Sequence, residues 1–297
     1  MTIRFDNRVV IVTGAGGGLG RAYALAFAAR GAKVVVNDLG GARDGSGGSS
    51  AMAQAVVAEI EAAGGEAIAN GANVADYAQV VAMVDQAKAK WGRVDILINN
   101  AGILRDKTFA KMEMADFELV NDVHLVGSAN CTKAVWETMR EQAYGRIVMT
   151  TSSTGLYGNF GQANYGAAKL GLVGLMNTLA LEGAKYNVRV NTVAPLAATR
   201  MTEDLMPPEL LAKMQPETVV PATLFLASED APNKVIINAG AGGFERTYIT
   251  ITKGIHVGDD ELTPETVAAR FEEISDRTGE IVPENGGAQA AMALGGR

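Results

Sequence analysis

The sequence has one cysteine, Cys131, and no apolar stretch of about 18 residues. A single cysteine cannot form an internal disulfide, and without such a stretch no membrane-spanning helix is predicted. No leader in which basic residues precede an apolar run is found at the N-terminus. We therefore expect a cytoplasmic protein in a reducing compartment, with no membrane partner and with Cys131 as an inert buried thiol.

Positive charge is also scarce, since 26 Lys and Arg stand against 33 Asp and Glu, which gives a net charge of −7. This balance argues against nucleic acid as the general partner. With two histidines and one cysteine, the chain offers no predicted metal site. The hydrophobic fraction of 48% is enough for a sizeable core and excludes disorder of the whole chain.

Short β-branched runs alternate with longer helical patterns through the first two thirds of the chain. Six strands are predicted, at residues 9–13, 33–38, 66–74, 94–99, 146–152 and 189–193. Helices are predicted from residue 19, from residue 49, and over residues 77–91, 117–141 and 163–185. This rhythm predicts right-handed βαβ units and an α/β fold of three layers, with a doubly wound parallel sheet in the middle.

The pattern loosens after residue 226. A strand is predicted near 235–238, Thr and Ile alternate over 247–252, and Thr263 is a predicted N-cap before Pro264. We predict one domain over 1–245 and an extension over 246–297 that packs on it or on a partner. The Gly- and Ser-rich segment 42–50 is predicted to be a surface loop, and the glycine-rich tail 284–297 to be flexible.

A glycine cluster follows the first predicted strand and opens a helix. Gly14, Gly18 and Gly20, with Leu19 among them, allow a tight turn, a close approach to a pyrophosphate and packing of the helix on the sheet. The N–H groups at the start of the helix favour the anion. A glycine cluster is weak evidence alone, but this position predicts a dinucleotide site rather than a merely flexible turn.

The second predicted strand ends in Asp38, about twenty residues beyond the glycines. A carboxylate there accepts hydrogen bonds from the adenosine ribose hydroxyls and repels a 2′-phosphate, so NAD is favoured over NADP. Asp38 could instead only cap the turn before Gly40. Arg21 and Arg43 lie nearby in the sequence and could weaken the discrimination.

Ser152 ends the fifth predicted strand, and Tyr165 and Lys169 follow in a helix. A spacing of four places the phenol and the ammonium on one face, one turn apart. A phenol with a pKa near 10 is a poor base at neutral pH, and a nearby ammonium favours its phenolate. These residues predict a proton-transfer site: Tyr165 as the base, Lys169 as its electrostatic partner and a ligand of the nicotinamide ribose, and Ser152 bound to the substrate oxygen.

Five motifs resemble, in order and spacing, those of the short-chain dehydrogenases/reductases: Thr13 to Gly20, Asn99-Asn100-Ala101-Gly102, Ser152, Tyr165-x-x-x-Lys169, and Pro195 to Thr199. The resemblance covers about residues 5–245. It implies a Rossmann-type sheet, a nicotinamide cofactor and a homodimer or homotetramer. It also implies cofactor contacts at Asn99, Ala101, Gly102, Pro195 and Thr199, with Thr199 meeting the nicotinamide carboxamide.

Two positions depart from the family pattern. His124, between Val123 and Leu125, stands where the family usually has a fourth catalytic residue, an asparagine. Its imidazole could still hold a water in a proton relay from Lys169. Asn73 before Val74 replaces the usual aspartate that contacts the adenine, and an asparagine could make one similar hydrogen bond.

Several segments are similar to the (3R)-hydroxyacyl-CoA dehydrogenase units of the peroxisomal multifunctional enzymes type 2. They are Asn37 to Gly41 with the insertion after it, Val123-His124-Leu125, Tyr157 to Tyr165, and Ala198 to Thr202. This similarity implies oxidation of a 3-hydroxyacyl-CoA to the 3-ketoacyl-CoA, with hydride passing to NAD, in fatty-acid or sterol side-chain degradation. The methionines at 201, 206 and 214 would line a lid over the acyl group or pack as a short helix.

Three other functions fit the same motifs. A 17β-hydroxysteroid dehydrogenase would take a steroid in place of an acyl-CoA, and a 3-ketoacyl-carrier-protein reductase would run the reverse reaction. Asp38 disfavours the second, since such reductases commonly use NADPH. A protein that binds NAD without turnover is disfavoured because Ser152, Tyr165 and Lys169 occur together.

Overall fold

Within residues 2–42, 44–49, 51–197 and 208–295, which the computed structural model describes, eight strands form one sheet. The strands are β1 (Val9–Thr13), β2 (Lys33–Asn37), β3 (Glu66–Asn70), β4 (Ile96–Asn99), β5 (Gly145–Thr150), β6 (Val188–Pro195), β7 (Ile236–Gly240) and β8 (Gly243–Thr247). Their order is β3-β2-β1-β4-β5-β6-β7-β8, and every pair from β3 to β7 is parallel. The predicted doubly wound sheet is confirmed.

Helices cover both faces of this sheet, so its central strands are apolar at successive positions. On one face, Val10 and Val12 of β1 pack with α1 (Gly18–Ala29), α2 (Ala51–Ala62) and α9 (Val220–Leu226). On the other, Val9 and Ile11 pack with α3 (Tyr77–Trp91), α5 (Gly127–Glu141) and α7 (Ala163–Gly183). In the described part of the chain before residue 246, the other α-helices are α4 (Met114–Asn121), α6 (Ser153–Tyr157) and α8 (Pro208–Lys213).

The structure corrects two sequence predictions in this part. The single helix predicted over 117–141 is three segments, because a π-helical turn at Asp122–Val126 separates α4 from α5. The sheet also contains β8, which the sequence does not predict, whereas β7 agrees with the strand predicted near 235–238. Most of β8 is exposed, so it carries little apolar pattern.

Cys131 is buried in α5, as its surroundings in the sequence predict. Burial raises the pKa of its thiol to about 12, so the thiolate is scarce at neutral pH. None of the described helices combines the length and the apolar composition that crossing a membrane needs.

The chain divides into two compact units, Met1–Arg246 and Thr247–Arg297. The second contains α10 (Pro264–Ala269), α11 (Phe271–Ile274) and α12 (Gly286–Ala293). Thr263 caps α10, as predicted, since its side chain accepts a hydrogen bond from the Thr266 N–H. The Thr/Ile alternation forms only a bridge between Ile251 and Ile281 rather than a strand. Within 284–297 the structure has α12, which is short and has no buried residue, so flexibility of this tail stays a prediction.

Arg146 at the start of β5 has no exposed surface. Its guanidinium donates to four carbonyl oxygens at 2.8–2.9 Å, those of Gly145, Asn187, Ser228 and Glu229. Burial lowers the pKa of Arg146. The planar guanidinium therefore connects β5 by hydrogen bonds to the segments before β6 and after α9. These bonds lie at the amino ends of the parallel strands.

We predict that Arg146→Lys lowers the free energy of unfolding by about 2–4 kcal/mol, because a lysine ammonium cannot reach four carbonyls in fixed directions and leaves some unpaired. Denaturant unfolding measures this cost. Arg189→Lys on the adjacent strand, at a half-buried position, is the matched control and should cost less than about 1 kcal/mol. An equal loss of unfolding free energy in the two variants would contradict the inferred role of the four Arg146 hydrogen bonds.

Candidate active site

The site lies where β1 and β4 are neighbours and the chain leaves them in opposite directions, the switch point that opens a crevice in such sheets. The turn after β1 needs glycine for steric reasons. Gly14 and Gly18 have φ values of 63° and 50°, and a Cβ on Gly20 would lie 2.1 Å from the Gly14 oxygen. Only glycines permit this turn to pack at the start of α1.

A hydrogen-bond network joins this turn to the end of β4. Thr13 Oγ1 accepts from the backbone N–H groups of Asn100 and Ala101 at 3.0 and 3.1 Å. Asn100 Nδ2 donates to the carbonyl oxygens of Thr13 and Gly14 at 2.9 and 3.1 Å. Asn100 is part of the Asn99-Asn100-Ala101-Gly102 motif, but the sequence predicts no contact for it. This network shows that Asn100 shapes the turn after β1.

Asp38 follows β2 and is half-buried. Its carboxylate accepts from the Gly16 N–H and the Gly40 N–H, each at 2.7 Å. Asp38 therefore does cap the turn before Gly40, and it also contacts the glycine turn through Gly16. A carboxylate has about four lone-pair positions, so two of them stay open to ribose hydroxyls.

One cleft of about 290 Å³ runs from the glycine turn to the predicted catalytic residues. Most of the predicted site residues line it: Gly14, Gly18, Leu19, Asp38, Asn73, Val74, Ala101, Gly102, His124, Tyr165, Lys169 and Pro195. They come from seven separate stretches of the chain and meet only in the fold. Thr199 and the methionines at 201 and 206 lie outside the described residues.

Three predicted residues are not among the described residues that line this cleft. Gly20 lies beneath the turn, against Gly14. Asn99 is buried, and its Nδ2 donates to Thr132 Oγ1 of α5 at 3.1 Å. Ser152 is 9% exposed and caps α6, where its Oγ accepts from the Thr154 N–H at 3.1 Å.

Asn73 is half-buried in the cleft wall, and its side-chain oxygen accepts from the Ala75 N–H.

Tyr165 and Lys169 lie one turn apart on α7, and the lysine Nζ is 5.4 Å from the centre of the tyrosine ring. Burial raises the pKa of Tyr165 to about 12; a hydrogen bond with Ser152 acts against this rise, and the charge of Asp106 adds to it. The sequence predicts that an adjacent ammonium favours the phenolate. Among the described residues, desolvation of the phenol is the largest effect on the pKa of Tyr165, and it disfavours the phenolate.

Lys169 is buried, and its Nζ donates to the Thr150 oxygen at 2.6 Å. Burial lowers the pKa of Lys169 from 10.5 to about 7. A lysine with this pKa holds and releases a proton near neutral pH. The side chain of Thr151 fixes the helix at this point, since its Oγ1 donates to the Lys169 carbonyl oxygen at 2.6 Å.

His124 is in the π-helical turn and is buried. Its ring lies edge-on to that of Tyr165, with centroids 5.2 Å apart and an interplanar angle of 87°. Burial and the charge of Lys169 hold the pKa of His124 well below 6.5, so the imidazole is neutral. Its Nε2 meets both the N–H and the carbonyl oxygen of Ile103, at 3.0 and 2.8 Å, and the tautomer decides which bond forms.

Two polar atoms in this part of the site have no hydrogen-bond partner among the described residues, His124 Nδ1 and Thr150 Oγ1. His124 is seated against Gly102, where a Cβ would lie 2.2 Å from Cε1 of the ring. The π turn is thus where the histidine enters the site. Single π-helical turns within α-helices often occur at functional sites.

The described residues fit a dinucleotide. The glycine turn provides backbone N–H groups at the start of a 12-residue helix, Asp38 has open acceptor positions, and the cleft continues to the tyrosine and the lysine. No set of three or more His, Cys, Asp or Glu side chains in the described part of the chain is arranged to hold a metal ion. The arrangement can bind a dinucleotide and move a proton beside it.

Comparisons with known proteins agree with this geometry. The profile of the short chain dehydrogenase family matches residues 8–209. Peroxisomal multifunctional enzyme A of Dictyostelium discoideum is 50% identical over 275 residues, which are 92% of this chain and 61% of that protein. The chain therefore spans less than two thirds of that relative.

Two solved structures are also similar. Full-length peroxisomal multifunctional enzyme type 2 of Drosophila melanogaster has a TM-score of 0.81 at 40% identity, over 98% of this chain and 49% of that one. A 7α-hydroxysteroid dehydrogenase in complex with NADH and 7-oxo glycochenodeoxycholic acid has a TM-score of 0.73 at 32% identity, over 81% of this chain and 95% of that one.

We predict that Gly102→Ala lowers the free energy of unfolding by about 1–3 kcal/mol and reduces activity, because the added methyl group displaces the His124 ring. Denaturant unfolding and steady-state rates measure the two effects. Gly174→Ala on α7 is the control, since a Cβ there meets nothing within 4 Å. A Gly102→Ala protein as stable and as active as this control would contradict the described contact.

Lys169→Met should stabilise the protein, and the gain should depend on pH. Below pH 7 the folded chain holds a buried ammonium, and between pH 7 and 10.5 it has lost a proton that the unfolded chain still binds. The free energy of unfolding of the parent protein therefore rises with pH through this window. We expect a gain on the order of 2 kcal/mol at pH 6 that shrinks towards pH 10.

Urea unfolding at several pH values measures the difference between the parent and the Lys169→Met protein. Lys88→Met, at an exposed position of α3, is the control and should show little pH dependence in this range. A difference for Lys169→Met that is the same at pH 6 and pH 10 would contradict the inferred desolvation of the lysine.

Proposed function

The chain belongs to the short-chain dehydrogenase family, and from this premise we propose that it oxidises (3R)-3-hydroxyacyl-CoA to 3-ketoacyl-CoA with NAD. Membership makes it an oxidoreductase that acts on CH–OH donors. The observation that carries the proposal is the single cleft that joins the glycine turn and Asp38 to Tyr165, Lys169 and His124.

Tyr165 is the proposed general base. Its phenolate oxygen removes the proton of the substrate hydroxyl, while the Ser152 hydroxyl binds the same substrate oxygen. An oxidised nicotinamide, held in the cleft between the glycine turn and Lys169, would supply the acceptor for the hydride of the carbinol carbon. The Ser152 side chain lowers the pKa of Tyr165, which supports placing both hydroxyl groups beside the same substrate oxygen.

Lys169 is proposed to take part in the proton's path away from Tyr165. Its pKa of about 7 allows it to exchange a proton near neutral pH, whereas Tyr165 at about 12 would be slow to ionise unaided. His124 faces Tyr165, and its Nδ1 has no hydrogen-bond partner among the described residues, which suits a bound water between the ring and Lys169. A neutral histidine can fill the place that asparagine has in the family, because each ring nitrogen can accept or donate a hydrogen bond.

NAD is proposed over NADP because of the carboxylate of Asp38. Its two backbone hydrogen bonds hold it at the end of β2, beside the glycine turn. A 2′-phosphate placed against this carboxylate would be repelled. The NADH in the similar 7α-hydroxysteroid dehydrogenase structure is consistent with this choice.

The substrate class rests on the similarity to the multifunctional enzymes, whose chains are longer than this one. A steroid alcohol is the second candidate, since the similar 7α-hydroxysteroid dehydrogenase holds a bile-acid derivative. The cytoplasmic location and the homodimeric or homotetrameric state stay predictions from the sequence.

The test is a panel of alcohols with NAD or NADP, in which the absorbance of the reduced cofactor is followed. We expect oxidation of (3R)-3-hydroxyacyl-CoA with NAD, and much less with the (3S) isomer, with estradiol or testosterone, or with NADP. Tyr165→Phe should lower kcat by about 10²–10⁴-fold, because it removes the general base. Tyr77→Phe, at an exposed position of α3, is the matched control and should keep the parent rate.

Four outcomes would overturn separate parts of the proposal. Turnover of steroids alone would overturn the substrate class, and a preference for NADP the cofactor. Equal kcat for Tyr165→Phe and Tyr77→Phe would overturn the role of the tyrosine. Asp38→Ala should raise the rate with NADP relative to NAD, and an unchanged ratio would remove Asp38 from cofactor choice.

A further inference from the structure

Asp106 lies in the segment after β4, outside the motifs discussed above, and this segment contacts the start of α7. Its Oδ2 accepts a hydrogen bond from Gln162 Nε2 at 2.7 Å. Gln162 is the N-cap residue of α7, three residues before Tyr165. The carboxylate is exposed, but this bond holds it at the end of the helix that carries the predicted base.

Gln162 is itself held in place by two more hydrogen bonds. Its Oε1 accepts from Thr154 Oγ1 at 3.0 Å and from Asn159 Nδ2 at 2.9 Å. With the carbonyl side of its amide committed in this way, the NH₂ side is directed at Asp106. The carboxylate of Asp106 is therefore held in position, through Gln162, by α6 and by the segment before α7.

Backbone contacts tie the same two segments together. Asn164 Nδ2 donates to the Arg105 oxygen at 3.0 Å, and the Lys107 N–H donates to the Gly161 oxygen at 3.0 Å. These bonds flank Asp106 on both sides in the sequence. They allow the segment little freedom to turn the carboxylate away from α7.

The flanking cations do not neutralise Asp106 in the described ion pairs. Arg105 and Lys107 both bind Asp116 at the start of α4, at 2.7 and 3.5 Å. The negative charge of Asp106 thus acts on its surroundings, and the charge contributes to the raised pKa of Tyr165. Among the described residues, His124 and Lys169 also lie beside the Tyr165 ring, and the Ser152 hydroxyl lowers the pKa of Tyr165.

We propose that Asp106 is a specificity-determining residue that excludes substrates with a carboxylate close to the reacting hydroxyl, and so selects thioesters over free 3-hydroxy acids. The inference rests on the proposed function. In a 3-hydroxy acid the carboxylate is two carbons from the carbinol carbon, so binding it brings a second negative charge near Asp106. The thioester carbonyl at the same place is uncharged, and the phosphates of CoA are far along the pantetheine arm.

Like charges in a partly desolvated site repel each other by an amount that depends on solvent exposure. Since Asp106 is exposed, we expect an effect of about tenfold rather than several orders of magnitude. The effect should weaken at high salt, because a rim charge is screened. A residue that only stabilised the fold would affect charged and uncharged substrates equally.

The test compares kcat/KM for 3-hydroxybutyrate and for its N-acetylcysteamine thioester, which is uncharged and lacks the CoA nucleotide. Asp106→Asn in the full chain should raise the ratio of acid to thioester by about tenfold at low salt, and less at high salt. Asp106→Glu should keep the parent ratio. Asp85→Asn, which removes an exposed carboxylate from α3, is the charge-matched control and should leave it unchanged.

A second measurement needs no substrate. The ionisation of Tyr165 is read from the ultraviolet absorbance of tyrosinate, as the difference between each protein and the same protein with Tyr165→Phe. We expect the pKa of Tyr165 to fall in Asp106→Asn and to stay in Asp85→Asn, since Asp106 raises it.

A Tyr165 pKa that does not change in Asp106→Asn overturns the inferred field, and an unchanged acid-to-thioester ratio overturns the specificity role. Failure of the parent protein to oxidise any thioester overturns the proposed substrate class instead. In that case a secondary alcohol that is oxidised, paired with its carboxylate-bearing analogue, gives the ratio that decides the role of Asp106.

Discussion

The contact between the ends of β1 and β4 is the constraint on which the site depends. Both strands are parallel and adjacent, but the chain leaves them towards opposite faces of the sheet, which opens a crevice between the two turns. Thr13 and Asn100 span this crevice at its base through four hydrogen bonds. The glycine turn, the start of α1 and the wall formed by Ala101 and Gly102 all take their positions from this junction.

Burial controls the chemistry of the groups that lie deeper in the cleft. It lowers the pKa of Lys169, raises that of Tyr165 and keeps His124 neutral, in each case because the charged form loses its water. Burial thus disfavours both the Tyr165 phenolate and the Lys169 ammonium, the two charged forms that the sequence predicts as a pair. At neutral pH, Tyr165 and His124 are therefore neutral and Lys169 exchanges a proton, so the site is not a preformed ion pair.

Most of the sheet could be predicted because strands covered on both faces are continuous apolar runs, and β1 and α3 have the predicted bounds. β8 could not, because an exposed edge strand lacks that signal. The π turn at His124 could not either, since α4, the turn and α5 keep one helical pattern. The surroundings of Asn99 and Asn100 could not be predicted for a similar reason: at the end of a strand, the alternation does not show which asparagine bonds to a helix and which bonds to the glycine turn.

The sequence by itself determined the βαβ order, the glycine turn, the acid at the end of β2, and the shared helix face of Tyr165 and Lys169. These features are local, because each depends on spacing within one element or one turn. Only the tertiary structure decided that His124 is held between Gly102 and Tyr165, and that Asp106 is anchored by Gln162. It also decided in which direction each pKa is shifted. Burial and the approach of residues far apart in the chain set these properties, and neither is a function of local spacing.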